Sequence, residues 1–315
     1  MKPRLVVVGS NMVDLITYVD RMPDRGETVE APRFEMGNGG KGANQATAAA
    51  RLGSQVAMVS KVGEDVFGQD TIRNFARNCI DTRHVAVVKG ASSGVAPIFV
   101  EPSGENSILI VKGANGELKP ADVDAAAAEL LASDLILLQL EVPLETVYYT
   151  IAFAARHDKR VVLNPAPATP ELDLGRLRNV SFFMPNRSEL ALLSGMQTET
   201  TTEIDAAAEK LLAGGVQTVV ATLGSAGVRV VSPSGNFSVP AMKVTAVDTT
   251  GAGDAFIGSF AHFFVTTGDL RQALHWAVRY AAQSVTRRGT QKSYASAKEF
   301  HDFCAASPGD LPPEG

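Results

Sequence analysis

Continuous β-branched runs separated by helical patterns constrain this chain more than any other feature. "RLVVVG" (4–9), "VAMVSKVG" (56–63), "DLILLQLE" (134–141), "RVVLNP" (160–165) and "TVVATLG" (218–224) are apolar along their length rather than alternating. Such runs belong to strands buried on both faces, as in parallel sheets. Helical patterns fill the intervals at 41–52, 65–78, 120–132, 143–157, 186–194, 203–213, 252–267, 269–287 and 295–305. The alternation predicts an α/β fold: a doubly wound, mostly parallel central sheet flanked by helices. Segments 12–36 and 94–111 have strand character but no crossover helix, and predict a small antiparallel β lid. Residues 1–306 are expected to form a single α/β domain, and the Pro- and Gly-rich tail 307–315 to be flexible.

Apolar residues make up 45% of the 315 and charged residues 20%, enough for a sizeable core. A net charge of −5 argues against nucleic acid or an anionic membrane as partner. Cys79 and Cys304 supply neither a disulfide framework nor metal-ligand spacing. The N-terminal apolar run, Leu5 to Val8, is too short for a signal-peptide core, and no stretch reaches membrane-spanning length. The expected location is cytoplasmic.

The stretch "FEMGNGGKGANQATAAARLG" (34–53) contains G-x-G-x-x-G at Gly37, Gly39 and Gly42. A dinucleotide fingerprint needs a strand before it, a helix after it, and an acid ending the next strand. Here that strand ends in Ser60 and Lys61, so no carboxylate is available for a ribose. A Walker A loop fails too, because Lys41 is followed by Gly42 rather than Ser or Thr. Two readings remain: a tight turn before a closely packed helix, or a loop that lets backbone approach a ligand, with Lys41 and Asn44 adding polar groups. Small residues at Ala43, Ala46, Ala49 and Ala50 suit tight packing on the sheet.

A second glycine segment, "VTAVDTTGAGDAFIGSF" (244–260), sets Gly251, Ala252 and Gly253 before an apolar helical pattern. Their N–H groups would lie at a helix N-terminus, where the dipole favours developing negative charge. Asp254 falls in the first turn, as a helix cap or as a carboxylate within reach of an attacking hydroxyl.

"GGKGANQA" (39–46), "LNPAPA" (163–168), "PNRSE" (185–189), "TLGSAG" (222–227) and "DTTGAGDAF" (248–256) occur in the order typical of ribokinase-like (PfkB) sugar kinases, which this chain resembles from about residue 4 to 300. Within that family, 9–32 and 92–99 look most like bacterial deoxyribokinases, with ribokinases close behind. The resemblance implies ATP-dependent phosphorylation of the 5-hydroxyl of 2-deoxy-D-ribose, D-ribose or both. Asp254 would be the catalytic base, and the Gly251, Ala252 and Gly253 amides an anion hole.

By the same resemblance Ser10, Asn11, Met12, Asp14, Asn38, Gly39, Gly40, Lys41, Gly42, Asn44 and Glu141 line the sugar pocket together with Asp254. Asn186, Thr222, Gly224, Ser225, Gly227, Gly253 and Val278 would contact ATP. Glu189 would support Mg²⁺ through water, its i, i+3 spacing from Asn186 putting both on one helix face; a capping pair is the plainer role of that spacing. Asp248, Thr250, Ser284, Arg287, Gly289 and Ser293 correspond to a K⁺ loop, mostly through backbone carbonyls.

Ribokinases commonly carry Asn where this chain has Met12. Asn11, one residue earlier, would point to the opposite face of an extended segment and so replace it poorly. Met offers an apolar contact where a 2-hydroxyl wants a partner, which favours 2-deoxyribose; packing of the pocket floor is the plainer role. Apolar content beyond what a small-sugar lid needs predicts a homodimer through the lid strands. Alternative functions are a ribokinase strict for D-ribose, another sugar or nucleoside kinase of this family, and a catalytically silent sugar sensor.

Overall fold

The structure, a computed structural model, describes residues 2–103 and 105–306; the tail expected at 307–315 lies outside the described residues. Its centre is β1 (Arg4–Val8), which pairs in parallel with β4 (Gln55–Gly63) on one side and β8 (Leu135–Leu138) on the other. Alternate residues of these strands feed two cores. Leu5, Val7, Leu135 and Leu137 pack with α1 (Lys41–Arg51), α8 (Ala252–Thr267) and α9 (Leu270–Ser284). Val6, Val8, Ile136 and Leu138 pack on the opposite face with α5 (Leu144–Arg156) and α7 (Thr201–Ala213). A core on each face is why these strands carry no polar alternation.

Completing the nine-stranded sheet are β5 (Asp81–Val88), β9 (Val161–Leu163), β10 (Phe182–Phe183), β11 (Val219–Thr222), β12 (Val228–Val231) and β13 (Phe237–Val239). The order is β13-β12-β11-β10-β9-β8-β1-β4-β5, parallel except for β12 and β13, which form an antiparallel hairpin edge. From β1 the chain winds outward to β4 and β5, then returns to β8 and winds the other way. The switch of direction falls between β1 and β8, where open α/β sheets open a crevice at the strands' carboxyl ends.

Several expected bounds are corrected. The pattern 120–132 splits at Ala126 into α3 (Pro120–Ala125) and α4 (Ala127–Ala132). The helix expected from 203 starts two residues earlier, because Thr200 and Glu203 cap each other's backbone. The run 134–141 leaves the sheet after Leu138, which carries Gln139 and Glu141 into the crevice region.

A second sheet holds β2 (Met12–Tyr18), β3 (Arg33–Gly39), β6 (Val95–Val100) and β7 (Asn106–Ile108), in the order β3-β2-β6-β7. Its outer pairings are antiparallel as expected, but β2 and β6 run parallel. A whole strand-helix-strand excursion through β4, α2 (Val66–Arg77) and β5 separates them, long enough for a parallel return.

Candidate active site

The first glycine segment is mostly strand. Gly37 to Gly39 end β3, and Gly40 alone turns the chain into α1 with φ of 86°. A Cβ at Gly40 would meet Asn11 Cα at 2.7 Å, so backbone conformation and space both require glycine there. At Gly39 the side-chain position is taken by the Asp14 carboxylate. These contacts seat the start of α1 on the chain leaving β1.

Across the switch point, Ser10 Oγ donates to Glu141 Oε2 at 2.5 Å, and the Lys41 N–H donates to the same oxygen at 2.8 Å. Gly42 N–H reaches Ser10 Oγ at 3.3 Å. The residues after β1, after β8 and at the head of α1 thus form one floor. Met12 and Asp14 share one face of β2, and the register places Ala96 and Ile98 of β6 on that face beside Asp14 and Ile16. Ala96 and Ile98 lie within the stretch 92–99, but only period-2 alternation in 94–111 signals which side they face.

Asp254 sits in the first turn of α8, buried, and both its oxygens are held from α1. Asn44 Nδ2 donates to Oδ2 at 2.9 Å and Gln45 Nε2 to Oδ1 at 3.0 Å. This meeting depends on small residues, because a Cβ at Gly258 would strike the Gln45 carbonyl and lie 2.8 Å from Ala48 Cβ. Gln45 was not among the expected site residues. Its identity inside "GANQA" says nothing until α1 is laid against α8.

Beside Asp254 lies a cavity of about 210 Å³ lined by Lys41, Asn164, Ala166, Met184, Asn186, Glu189, Thr222, Thr249, Gly251, Ala252, Gly253 and Ile257. Lys41, expected at the sugar, therefore lines the same space as the second glycine segment. Gly251 caps α8 at φ 75°, and Tyr294 Oη donates to its carbonyl at 2.9 Å. The Ala252 N–H is turned to the Thr249 carbonyl at 3.2 Å rather than into the cavity. Asn186 and Glu189 form a capping box at α6 (Arg187–Ser194): the Glu189 N–H donates to Asn186 Oδ1 and the Asn186 N–H to Glu189 Oε2, both at 2.8 Å. One Glu189 oxygen is thereby used structurally while the residue still lines the cavity.

Burial dominates the charges here. It pushes the Asp14 carboxyl up to about 7, helped by the Glu141 and Asp254 charges. Burial also raises Glu141, against the Lys41 charge and the hydrogen bonds from Ser10 and the Lys41 N–H. Glu189 is raised by burial as well. Lys41 is pulled down by burial but raised overall by Asp254, Glu141 and Glu189, so it keeps its charge. Four carboxyl groups, Asp14, Glu141, Glu189 and Asp254, thus surround one ammonium, Lys41.

The remaining expected residues divide between the cavity and its surroundings. Asn11 donates to Ser60 Oγ and the Lys61 carbonyl, both at 2.8 Å, so its amide is committed beneath the lid. Asn38 pairs with Val13 in register and so faces away from Asp14. Val278 packs in the core with Val228, Val230 and Val239. Thr222 ends β11 at the cavity, and Gly224, Ser225 and Gly227 form the turn after it, closed by a 2.8 Å bond from Leu223 N–H to the Gly227 carbonyl. In the 248–293 loops Asp248 accepts from Thr250 N–H and Gly289 N–H, both at 2.9 Å. Ser284 and Ser293 donate to carbonyls of their own segments, and the Arg287 guanidinium pairs with Glu299. Among the described residues no group of three or more His, Cys, Asp or Glu is placed to hold a metal, and no helix is long and apolar enough to cross a membrane.

The profile of the pfkB family carbohydrate kinases matches residues 2–297. A deoxyribokinase of Salmonella typhi is 52% identical over 299 residues, covering 95% of this chain and 98% of its own. A ribokinase of Schizosaccharomyces pombe is 39% identical, covering 94% and 96%. The structure of Arabidopsis thaliana ribokinase complexed with ribose and ATP aligns with a TM-score of 0.89 at 30% identity, over 96% of this chain and 99% of that one. With both glycine segments inside a match of that length, the chain belongs to the PfkB family of carbohydrate kinases.

Proposed function

We propose that this kinase transfers the γ-phosphoryl group of ATP to the 5-hydroxyl of a pentose, acting on 2-deoxy-D-ribose and more weakly on D-ribose. The observation that carries the reading is Asp254, an acid gripped at both oxygens, at the wall of a cavity shared with Lys41 and the head of α8. The sugar lies between the floor and the lid, with Asp14, Asn44 and Glu141 taking its hydroxyls and Met12 packing against C2. Its 5-hydroxyl attacks the γ-phosphorus as the bond to the β–γ bridging oxygen breaks. Asp254 accepts the hydroxyl proton, and ADP leaves.

Phosphoryl transfer has a loose transition state, so alignment and charge matter more than the strength of the base. Lys41 and the N-terminal amides of α8 meet the charge on the transferring group. For those amides to serve together, the Ala252 N–H must leave the Thr249 carbonyl as the phosphate arrives. Mg²⁺, when bound, neutralises phosphate charge; Glu189, with one oxygen outside its capping box, and water would hold it, in keeping with a metal that binds largely through substrate phosphates.

The loops 248–250 and 284–293 are tied together by Asp248, and their carbonyls would hold K⁺; the Arg287 side chain, paired with Glu299, would not. Residues 2–306 act as one kinase unit with the small sheet as lid, in the cytoplasm. Phe34, Met36, Leu109 and Val111 form an exposed apolar face of that lid opposite Asp14, suited to a second copy of the chain. Adding KCl to enzyme in tetramethylammonium buffer should raise turnover.

The reading is tested by ADP formation with each pentose. An apolar contact rejects an added hydroxyl by only about 10²-fold. Both sugars should therefore turn over, with kcat/KM favouring 2-deoxyribose by no more than that factor. No ADP from either sugar would overturn the proposal.

A further inference from the structure

Two chains of amides, all buried except half-buried Asn74, converge on Asp254. In the first, Gln139 Nε2 donates to Gln45 Oε1 at 2.6 Å, and Gln45 Nε2 donates to Asp254 Oδ1 at 3.0 Å. Gln45 Nε2 also reaches Asn164 Oδ1 at 3.3 Å. In the second, Asn74 Nδ2 donates to Gln291 Oε1 at 2.8 Å, Gln291 Nε2 to Asn44 Oδ1 at 2.9 Å, and Asn44 Nδ2 to Asp254 Oδ2 at 2.9 Å.

An ionised carboxylate only accepts, so each amide touching it must present its NH₂ group. Its oxygen then faces outward, and the next amide must donate in turn. The direction of both chains is fixed at the carboxylate and propagates away from it. The far end of the first chain carries the consequence: Gln139 Oε1 is buried without a partner. Turning that amide over would set two amide oxygens against each other at Gln45, a worse arrangement than one orphan acceptor.

We propose that Gln45 and Gln291 are positioning residues for phosphoryl transfer, each aiming one oxygen of Asp254 through a directed amide chain. This rests on Asp254 being the base. Gln45 donates to Asp254 itself and not to Asp14, Asn44 or Glu141, the groups proposed to take the other sugar hydroxyls. Gln291 acts through Asn44, a proposed sugar ligand, and lies two residues after Gly289, which is bonded to Asp248. The two residues therefore affect different constants. Loss of Gln45 misdirects the base alone; loss of Gln291 loosens a sugar contact and the base together.

The test compares Gln45→Met, Gln139→Met and Gln291→Met with wild type, using ADP formation for kcat and KM and calorimetry for sugar binding. Losing a hydrogen bond to a charged group costs about ten- to a hundredfold in rate. Gln45→Met should lower kcat by that factor with sugar affinity nearly unchanged. Gln139→Met should do the same more weakly. Gln291→Met should raise KM and lower kcat together. If Gln45→Met does not fold, the other two decide, because they leave every contact of Asp254 in place. Wild-type kcat and KM in the folded variants would overturn the proposal. Asp254→Asn is measured alongside: retained turnover there removes the base reading and this inference with it, whereas a dead Asp254→Asn beside normal Gln variants removes the inference alone.

Discussion

Asn44 and Asp254 are 210 residues apart in sequence, and the Asn44 amide donates to the Asp254 carboxylate at 2.9 Å. The contact joins the two glycine segments into one site. Neither segment identifies it alone. The first has the letters of a dinucleotide loop and the second those of an ordinary helix start; only their meeting puts the amides of Asn44 and Gln45 against the Asp254 carboxylate.

Met12 starts β2 on the Asp14 face and is almost wholly buried. Met12→Asn supplies the partner that a 2-hydroxyl lacks here. It should raise kcat/KM for ribose relative to 2-deoxyribose by about tenfold or more. An unchanged ratio in steady-state assays would detach Met12 from sugar choice.

Asp14 lowers the stability of the folded chain at neutral and higher pH. Its carboxyl rises from 3.8 to about 7 on folding, through burial first and then the Glu141 and Asp254 charges. A raised carboxyl contributes stability that is complete below the unfolded value and is lost as pH climbs through the folded one. Asp14→Asn removes that loss. In denaturant titrations of sugar-free enzyme it should be more stable than wild type at pH 8, by up to roughly 4 kcal/mol, and nearly equal at pH 4. A gain of the same size at both pH values would contradict this origin.

The apolar lid face predicts an assembly. Phe34 is 56% exposed and Leu109 62%, on the same side of the small sheet. Wild type should sediment as a dimer at micromolar concentration, and the doubly substituted Phe34→Glu, Leu109→Glu chain as a monomer. A strictly monomeric wild type would remove the lid as an interface.

How much was legible in the sequence follows from where each signal lies. β1, β8, β9 and β11 announce themselves because nearly every position along them is buried and apolar, and β4 keeps most of that pattern despite Gln55, Ser60 and Lys61. The edge strand β5, with its exposed and charged positions, has no such signature, and β10 is only two residues long. Period-2 alternation separates the faces of Asn11 and Met12, and the structure has the Asn11 NH₂ group donating to Ser60 and Lys61. The face of Asn38 is set by its register with Val13, which a strand's own sequence does not contain. Gln45 and Gln291 were invisible for a related reason. An amide has no assigned role until the packing of α1 on α8, and of the 291–293 turn on α1, decides which end faces the acid.

In the proposed mechanism Asp254 accepts the proton of the attacking hydroxyl. The decisive assay is ADP formation by Asp254→Asn with 2-deoxyribose, with sugar binding followed by calorimetry. The account predicts turnover lower by about 10² to 10⁴-fold, the usual contribution of a positioned general base, with sugar binding largely kept. Turnover within a few-fold of wild type would contradict it.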